Sequence, residues 1–377
     1  MKAVIAAYAR TPFHFARKGA LAEVRPDTLA AQAVSGLLKR TDLDPALIED
    51  VILGCAYPEA SQGNNLARIV GLLAGLPQEV GGMTVNRFCG SSMQAVHIAA
   101  AQIEAGMGEA FLCVGVESMT MVPQGGFNFS PNPELLANTQ AYISMGETAE
   151  NVAARWHVSR ADQEALAVES HRKATAARTE GRLAAEIIPV QLANGDVIDA
   201  DGCIRPATSL EALAGLKPAF RPDGSVTAGT SSPLTDGAAV VLVTSDAFAE
   251  KHGLAPMARV RSFASVGVDP AIMGIGPIPA TRKALARAGL TVADLDVIEI
   301  NEAFSSQALA CIRDLGLDPA TVNLDGGGLA IGHPLGATGA RITGKAASLL
   351  VRENGRYALS TQCIGGGQGI ATVLERV

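Results

Sequence analysis

Short apolar strands alternating with Ala-rich helical stretches predict an α/β fold built on mixed or parallel sheets. Three observations carry this. Buried-strand runs recur at residues 4–9, 50–54, 81–85, 110–116 and 236–245, each bounded by turn residues. Apolar residues make up 48% of 377 and charged residues 18%, enough for a large core and for two or three domains. The last third of the chain also repeats the order of the first.

The elements follow in sequence. After strand 4–9, residues 27–39 read as a helix with Asp27 or Thr28 near its cap. Strand 50–54 leads to a helix over 64–74, stopped by Gly75-Leu76-Pro77. Strand 81–85 runs into Cys89 and an Ala-rich helix over 93–103, which Ser91 or Ser92 can cap. Strand 110–116 closes this unit. The character then changes. Residues 121–140 are rich in Pro, Gly and Asn and read as a long loop. Residues 146–182 are helical, with Thr148 and Ser159 as caps, and 189–220 are irregular. Regular structure returns at 236–245.

The repeat is weak in identity but keeps its order. Leu43-Asp44-Pro45-Ala46-Leu47-Ile48-Glu49-Asp50-Val51-Ile52 resembles Leu290-Thr291-Val292-Ala293-Asp294-Leu295-Asp296-Val297-Ile298. Thr84-Val85-Asn86 resembles Thr321-Val322-Asn323, and residues 110–115 resemble 357–362. A duplicated α/β unit packed face to face brings equivalent strand ends to one centre.

Composition excludes several functions. Aromatics are only 4%, against nucleic-acid stacking surfaces. The net charge of −7 is spread among interspersed acids and bases, so no basic block invites nucleic acid or an anionic membrane. An anionic ligand would need a local basic site. The six cysteines are far apart with no CxxC pair, which fits a reducing compartment and argues against zinc; no metal is expected. The first ten residues hold too short an apolar run for a signal peptide, and no run approaches the ~18–20 residues that span a bilayer. These features read as a cytoplasmic protein.

Four segments stand out chemically. Cys89 lies between a strand and a helix start, where the helix field can lower a thiol from about 8.5 into the range ~3.5–7.5 and so activate a nucleophile. The ordinary alternative is a buried cysteine acting as a small hydrophobe. Asn301-Glu302-Ala303-Phe304 puts an amide and an acid at a strand end, or caps a helix starting at Glu302. Residues 325–339 set six glycines around His333, a candidate base or donor, whereas His14, His97, His157, His171 and His252 have ordinary surroundings. Cys363 leads a Gly turn through Gly365, Gly366 and Gly367. It offers a second thiol and free N–H donors, or fills a hairpin.

Together these segments resemble the thiolase family over residues 4–374. Asn86-Arg87-Phe88-Cys89-Gly90-Ser91-Ser92, Asn301-Glu302-Ala303-Phe304, Gly332-His333-Pro334 and Cys363-Ile364-Gly365-Gly366-Gly367 stand in the family's order. Within it, the chain is most similar to 3-ketoacyl-CoA thiolases, the acetyl-CoA C-acyltransferases. The resemblance implies a five-layer αβαβα fold of two duplicated halves. The halves are residues 1–248, with an inserted loop domain near 119–235, and residues 249–377. It implies thiolytic cleavage of 3-ketoacyl-CoA to acetyl-CoA and a shortened acyl-CoA, or the reverse condensation, with coenzyme A as substrate and no cofactor. A homodimer or homotetramer is implied, with no nucleic-acid or membrane partner.

The resemblance also implies roles. Cys89 takes the acyl group; His333 activates it and joins an oxyanion hole with a water held by Asn301. Cys363 protonates the leaving acetyl-CoA carbanion and later deprotonates CoA. The N–H groups of Cys89 and Gly365 form a second oxyanion hole. For CoA, Arg205 would face the adenine and phosphate end, or be a solvated loop charge. Ser232 would face the pantetheine and Phe220 the channel wall, with Met145 and Phe304 completing the substrate contacts. Ser144-Met145 stands where acetoacetyl-specific members often carry His-Met, and Thr230-Ser231-Ser232 looks like the longer-chain, degradative type. The competing readings are an acetoacetyl-CoA-forming acetyltransferase, a CoA-thioester binding subunit without turnover, and a decarboxylating ketoacyl synthase. The second thiol at Cys363 points away from the last.

Overall fold

The computed structural model describes the chain from Met1 to Val377. Its principal strands are β1 (Ala3–Arg10), β2 (Asp50–Gly54), β3 (Gly81–Val85), β4 (Ala110–Ser118), β5 (Thr235–Ser245), β6 (Ala258–Gly267), β7 (Val297–Ile300), β8 (Tyr357–Ile364) and β9 (Gln368–Arg376). Its principal helices are α1 (Pro26–Thr41), α2 (Leu66–Leu73), α3 (Ser91–Glu104), α4 (Met145–Arg155), α5 (Arg160–Thr179), α6 (Pro277–Ala288), α7 (Ser305–Leu315) and α8 (Leu335–Arg352).

The strands run β7-β8-β9-β6-β1-β5-β4-β2-β3. Between β6 and β1 the join is slight, with only Val4 facing Arg259 and Ile5 facing Ala258. On either side of it the same pattern appears. In the first half β1, β5 and β4 are antiparallel neighbours, and β4, β2 and β3 are parallel. In the second half β6, β9 and β8 are antiparallel neighbours, β8 and β7 are parallel, and Val322 bridges in parallel to Ile298 beyond them. The sequence repeat is therefore a repeat of topology, and Thr321-Val322-Asn323 stands where β3 stands in the first copy.

Three apolar layers hold these sheets between helices. Leu29, Val34 and Leu37 of α1 and Leu66 and Val70 of α2 pack on the outer face of the first half. Ile278 and Leu285 of α6 and Ile312 and Leu315 of α7 pack on the outer face of the second. Between the halves, α3 and α8 share one core with Ile52, Val241 and Val243 from one side and Val260, Val297 and Leu374 from the other. Helix–sheet–helix–sheet–helix is the five-layer arrangement the sequence resemblance implies. In α8 only Ser348, Val351 and Arg352 reach the surface, as expected of a helix buried all round. Gly339 lets it lie on α3, since a Cβ there would come within 2.3 Å of the Met93 nitrogen.

Several local expectations need correction. Neither Ser91 nor Ser92 caps α3: the N-cap is Gly90, while Ser92 Oγ accepts from the Ala340 N–H at 2.8 Å across the central layer. The helical stretch 146–182 is two helices, broken at Trp156-His157-Val158, where His157 takes φ +53°. Ser144 caps the first, and Thr148 instead sits inside it with its hydroxyl on the Met145 carbonyl. Ser159 caps the second as expected. The loop 121–140 contains a short helix, Pro133–Asn138. No helix begins at Glu302; α7 starts at Ser305.

Candidate active site

The turn from β3 into α3 is built to hold Cys89 out of the helix. Asn86 Oδ1 accepts from the Phe88 N–H at 2.8 Å, and Ser91 Oγ accepts from the Arg87 N–H at 2.9 Å. Phe88 takes φ +44°, a left-handed conformation rare for an aromatic residue. Gly90 allows the turn to lie against β8, because a Cβ there would meet Ile364 Cδ1 at 2.5 Å. Two bonds then fasten this turn to the β8–β9 hairpin. The Gln362 amide donates to the Cys89 carbonyl, and Arg87 Nη1 donates to Gln368 Oε1 at 2.9 Å. Cys363, next to Gln362, is thereby brought beside Cys89.

The thiol is not depressed as the helix start alone would suggest. Burial pushes Cys89 up to about 12; the N–H groups of Gly365 and of Cys89 itself oppose this, and the Glu117 carboxylate adds to it. Desolvation of a thiolate outweighs the helix field here. Burial also raises Cys363 well above the ordinary thiol range, and the neighbouring Cys89 adds to that. Both sulfurs rest as thiols at neutral pH. The two N–H groups that face the Cys89 sulfur are those of the implied second oxyanion hole.

His333 is buried in the Gly turn before α8, with Gly332 at φ +112°. Its backbone N–H donates to Thr235 Oγ1 at 3.1 Å, and Nδ1 lies 2.6 Å from Thr338 Oγ1. The Thr338 hydroxyl donates to the Pro334 carbonyl at 3.3 Å, so its oxygen accepts from Nδ1–H. We assign that tautomer, which leaves Nε2 as the lone-pair nitrogen. Burial, helped by the Arg341 charge, pulls the imidazole down to about 3, so it rests neutral. Leu335, two residues on, packs in the cluster that Cys89 also touches.

Asn301 follows β7. Its Nδ2 lies 3.4 and 3.3 Å from the two ring nitrogens of His333, and its Oδ1 is buried with no protein donor. Glu302 behind it is a bracket, accepting from Ser170 Oγ at 2.6 Å, Asn323 Nδ2 at 2.7 Å and the Leu329 N–H at 3.2 Å. Gly366 and Gly367, at φ +76° and +82°, close the β8–β9 hairpin and leave the Gly365 N–H beside Cys89. Cys363 lies on β8, in the hairpin, and its thiol neighbours that of Cys89.

Comparison with known proteins decides the family. A family model described as thiolase, N-terminal domain, matches residues 3–247, and one described as thiolase, C-terminal domain, matches 254–376. The chain belongs to the thiolase family. It is 51% identical to a 3-ketoacyl-CoA thiolase of Shewanella denitrificans and 50% identical to those of Shewanella putrefaciens and Shewanella baltica; each alignment covers all of both chains.

Of the expected substrate contacts in this thiolase, two pack with Cys363 and two more stand against that cluster. Met145 and Phe304 pack in one apolar cluster with it. Phe220, 39% exposed, meets Phe304 edge-on with ring centroids 5.9 Å apart. Ser232 donates its N–H to the Ala303 carbonyl at 3.0 Å. Arg205 is held elsewhere: it is exposed, and its guanidinium and backbone N–H both lie 3.1 Å from ring nitrogens of His171.

Sequence reasoning missed Glu117. Its buried carboxylate accepts from the N–H groups of Ala56 (2.8 Å), Tyr57 (3.2 Å) and Gly336 (2.9 Å) and from Gln62 Nε2 (2.8 Å). It ties the loop after β2 to the turn that carries His333. The signal was present: a single acid near the end of the apolar run Ala110–Ser118. Thr338 and Gln362 were in view within their motifs, but their partners lie far away in sequence or depend on the tautomer of His333.

Proposed function

We propose that this thiolase cleaves 3-ketoacyl-CoA with CoA, giving acetyl-CoA and an acyl-CoA shortened by two carbons. The observation that supports the reading is that Cys89 has the Cys363 thiol and the Gly365 N–H beside it, while a neutral His333 held against Asn301 sits in the turn whose Leu335 packs in the cluster Cys89 touches. His333 Nε2 takes the Cys89 proton as sulfur attacks the 3-keto carbon. The C2–C3 bond then breaks, leaving the acyl group on Cys89 and an acetyl-CoA enolate. The N–H groups of Cys89 and Gly365 stabilise the tetrahedral oxyanion. His333 and a water oriented by Asn301 stabilise the enolate oxygen, each donor worth ~3 kcal/mol by analogy with other oxyanion holes. Cys363, a thiol of raised pKa, delivers its proton to the enolate carbon. Its thiolate then takes the proton of incoming CoA, whose sulfur attacks the acyl-Cys89 carbonyl.

Met145, Phe220, Ser232 and Phe304 line the approach for the acyl and pantetheine parts, and Arg205 is the basic contact for the phosphate end of CoA. Ser144 in place of His supports acyl chains longer than acetoacetyl and so a place in the β-oxidation of fatty acids. We further read the protein as cytoplasmic, with no resident cofactor or metal. All six cysteines are free, and no helix is long and apolar enough to cross a membrane. The unpaired edge strand β3 supports a homodimer or larger homo-oligomer. The domain division at about residue 248 goes with this reading.

A kcat/KM series over 3-ketoacyl-CoA chain length in the thiolytic direction tests the proposal. Turnover should rise from acetoacetyl-CoA to medium chains, with a Cys89-bound acyl group seen by mass spectrometry. Turnover on acetoacetyl-CoA alone, or label only on another cysteine, would overturn it.

A further inference from the structure

Behind the reacting groups lies a fully buried ion pair that the mechanism above does not use. Arg341 Nη2 is 3.5 Å from Glu299 Oε2, with the side chains 1% and 0% exposed. Neither has another protein partner: all three guanidinium nitrogens and both carboxylate oxygens are without hydrogen bonds. An ion pair this loosely matched is weak evidence for stability.

Its place in the chain is the informative part. Thr338, which holds His333 Nδ1, is one turn before Arg341 on α8. Asn301, whose amide lies near both ring nitrogens of His333, is two residues after Glu299, just past the end of β7. The path from His333 through Thr338, Arg341, Glu299 and Asn301 closes back on His333. Each charge thus lies within three residues of one of the two groups that hold the ring.

We propose that Glu299 and Arg341 are positioning residues that set how readily His333 accepts the Cys89 proton. This rests on His333 being the base. Arg341 opposes an imidazolium at His333. Glu299, when ionised, offsets Arg341. Burial pushes its carboxyl up to about 7; Arg341 and Lys345 on α8 pull it down, and Asp325 and Glu186 push it up. Tyr8 on β1 and Glu302, just after β7, complete the charged and titratable groups around the pair. Glu299 therefore changes charge in the middle of the working range. Below about pH 7 Arg341 acts on His333 unopposed; above it the pair is neutral in sum and imidazolium forms more easily.

The test is the rate of iodoacetamide alkylation at Cys89, read by peptide mass spectrometry on the full-length protein from pH 6 to 9. Wild type should show two levels about tenfold apart, with a step upward near pH 7. Glu299→Gln, close in shape, should stay flat on the lower level. Arg341→Met should stay flat on the upper level, because the unpaired Glu299 then keeps its proton. Arg341→Lys should restore the step. Damage to packing alone would lower both variants alike, and that result, or a step that survives in Glu299→Gln, would overturn the proposal. If Arg341→Met does not fold, Glu299→Gln decides by itself. A His333→Asn protein that alkylates like wild type, step included, would instead overturn His333 as the base, a separate failure.

Discussion

Replacing His333 by Asn separates a histidine that activates Cys89 from one that fills a Gly turn. With its pKa pushed to about 12, unaided Cys89 is ionised to roughly one part in 10⁴ at pH 8, against about a quarter for a free thiol of pKa ~8.5. The more basic thiolate is also the better nucleophile. With a Brønsted slope of ~0.45, the ~3.5-unit difference returns a factor of about 40. Without His333, alkylation at pH 8 should thus run about 10²-fold slower than that of free cysteine and rise about tenfold per pH unit.

With His333 present, the proton has a neutral acceptor at every pH above about 3, and the imidazolium so formed supplies the counter-charge that burial alone denies the thiolate. The rate should then vary by no more than about tenfold between pH 6 and 9. Iodoacetamide is small enough to reach the half-buried sulfur, and circular dichroism checks that the variant is folded. A folded His333→Asn protein that keeps the shallow profile would refute the argument. Turnover should fall further than alkylation, by at least ~10²-fold, because an oxyanion donor is lost with the base.

Three further outcomes are expected. Cys363→Ser should still acquire an acyl group on Cys89 from acyl-CoA, while thiolysis and condensation collapse; normal thiolysis in steady state would remove Cys363 as the proton carrier. Glu117→Gln should lower stability to urea by about 2 kcal/mol or more, since an amide NH2 must then face N–H donors that now share a carboxylate oxygen; a midpoint within error of wild type would contradict that bracket. Glu299, an acid raised in the folded state from its ordinary 4.5 to about 7, binds more protons folded than unfolded across that window. Its contribution to stability is therefore lost as pH rises. The stability of wild type relative to Glu299→Gln should fall by about 3 kcal/mol between pH 4 and pH 8, and parallel curves would refute it.

Much of this was legible in the sequence, for physical reasons. Strand periodicity and Gly-Pro stops placed β2 and β3 to the residue, and the ordered repeat foretold a sheet topology that occurs twice. Cys89, Asn301, His333 and Cys363 stood out because reactive side chains sat among glycines. The failures were tertiary. Whether Ser92 caps its own helix or reaches Ala340 depends on how closely α8 approaches, which Gly339 sets from the far end of the chain. The Cys89 pKa was misjudged because the helix field can be read locally, whereas desolvation depends on Gln362, Ile364 and the hairpin folding over the thiol. Glu117 and the Glu299–Arg341 pair look like isolated charges until the two halves close on them.

The raised thiol pKa also decides what deacylation requires. A thiolate of such high basicity is a strong nucleophile but a poor leaving group, and CoA is an ordinary thiol, so a bare Cys89 would take an acyl group and not release it. Release needs the proton put back on sulfur as the C–S bond breaks. In the proposed mechanism the group that returns it is His333, as the imidazolium left by the first half-reaction. Burial opposes that cation, as does Arg341, so the proton is held weakly and given up readily. On that mechanism, the features that make His333 a reluctant base in the first half-reaction would make it an effective acid in the second. That symmetry suits a carbon–carbon bond that must be made or broken through the same acyl-enzyme.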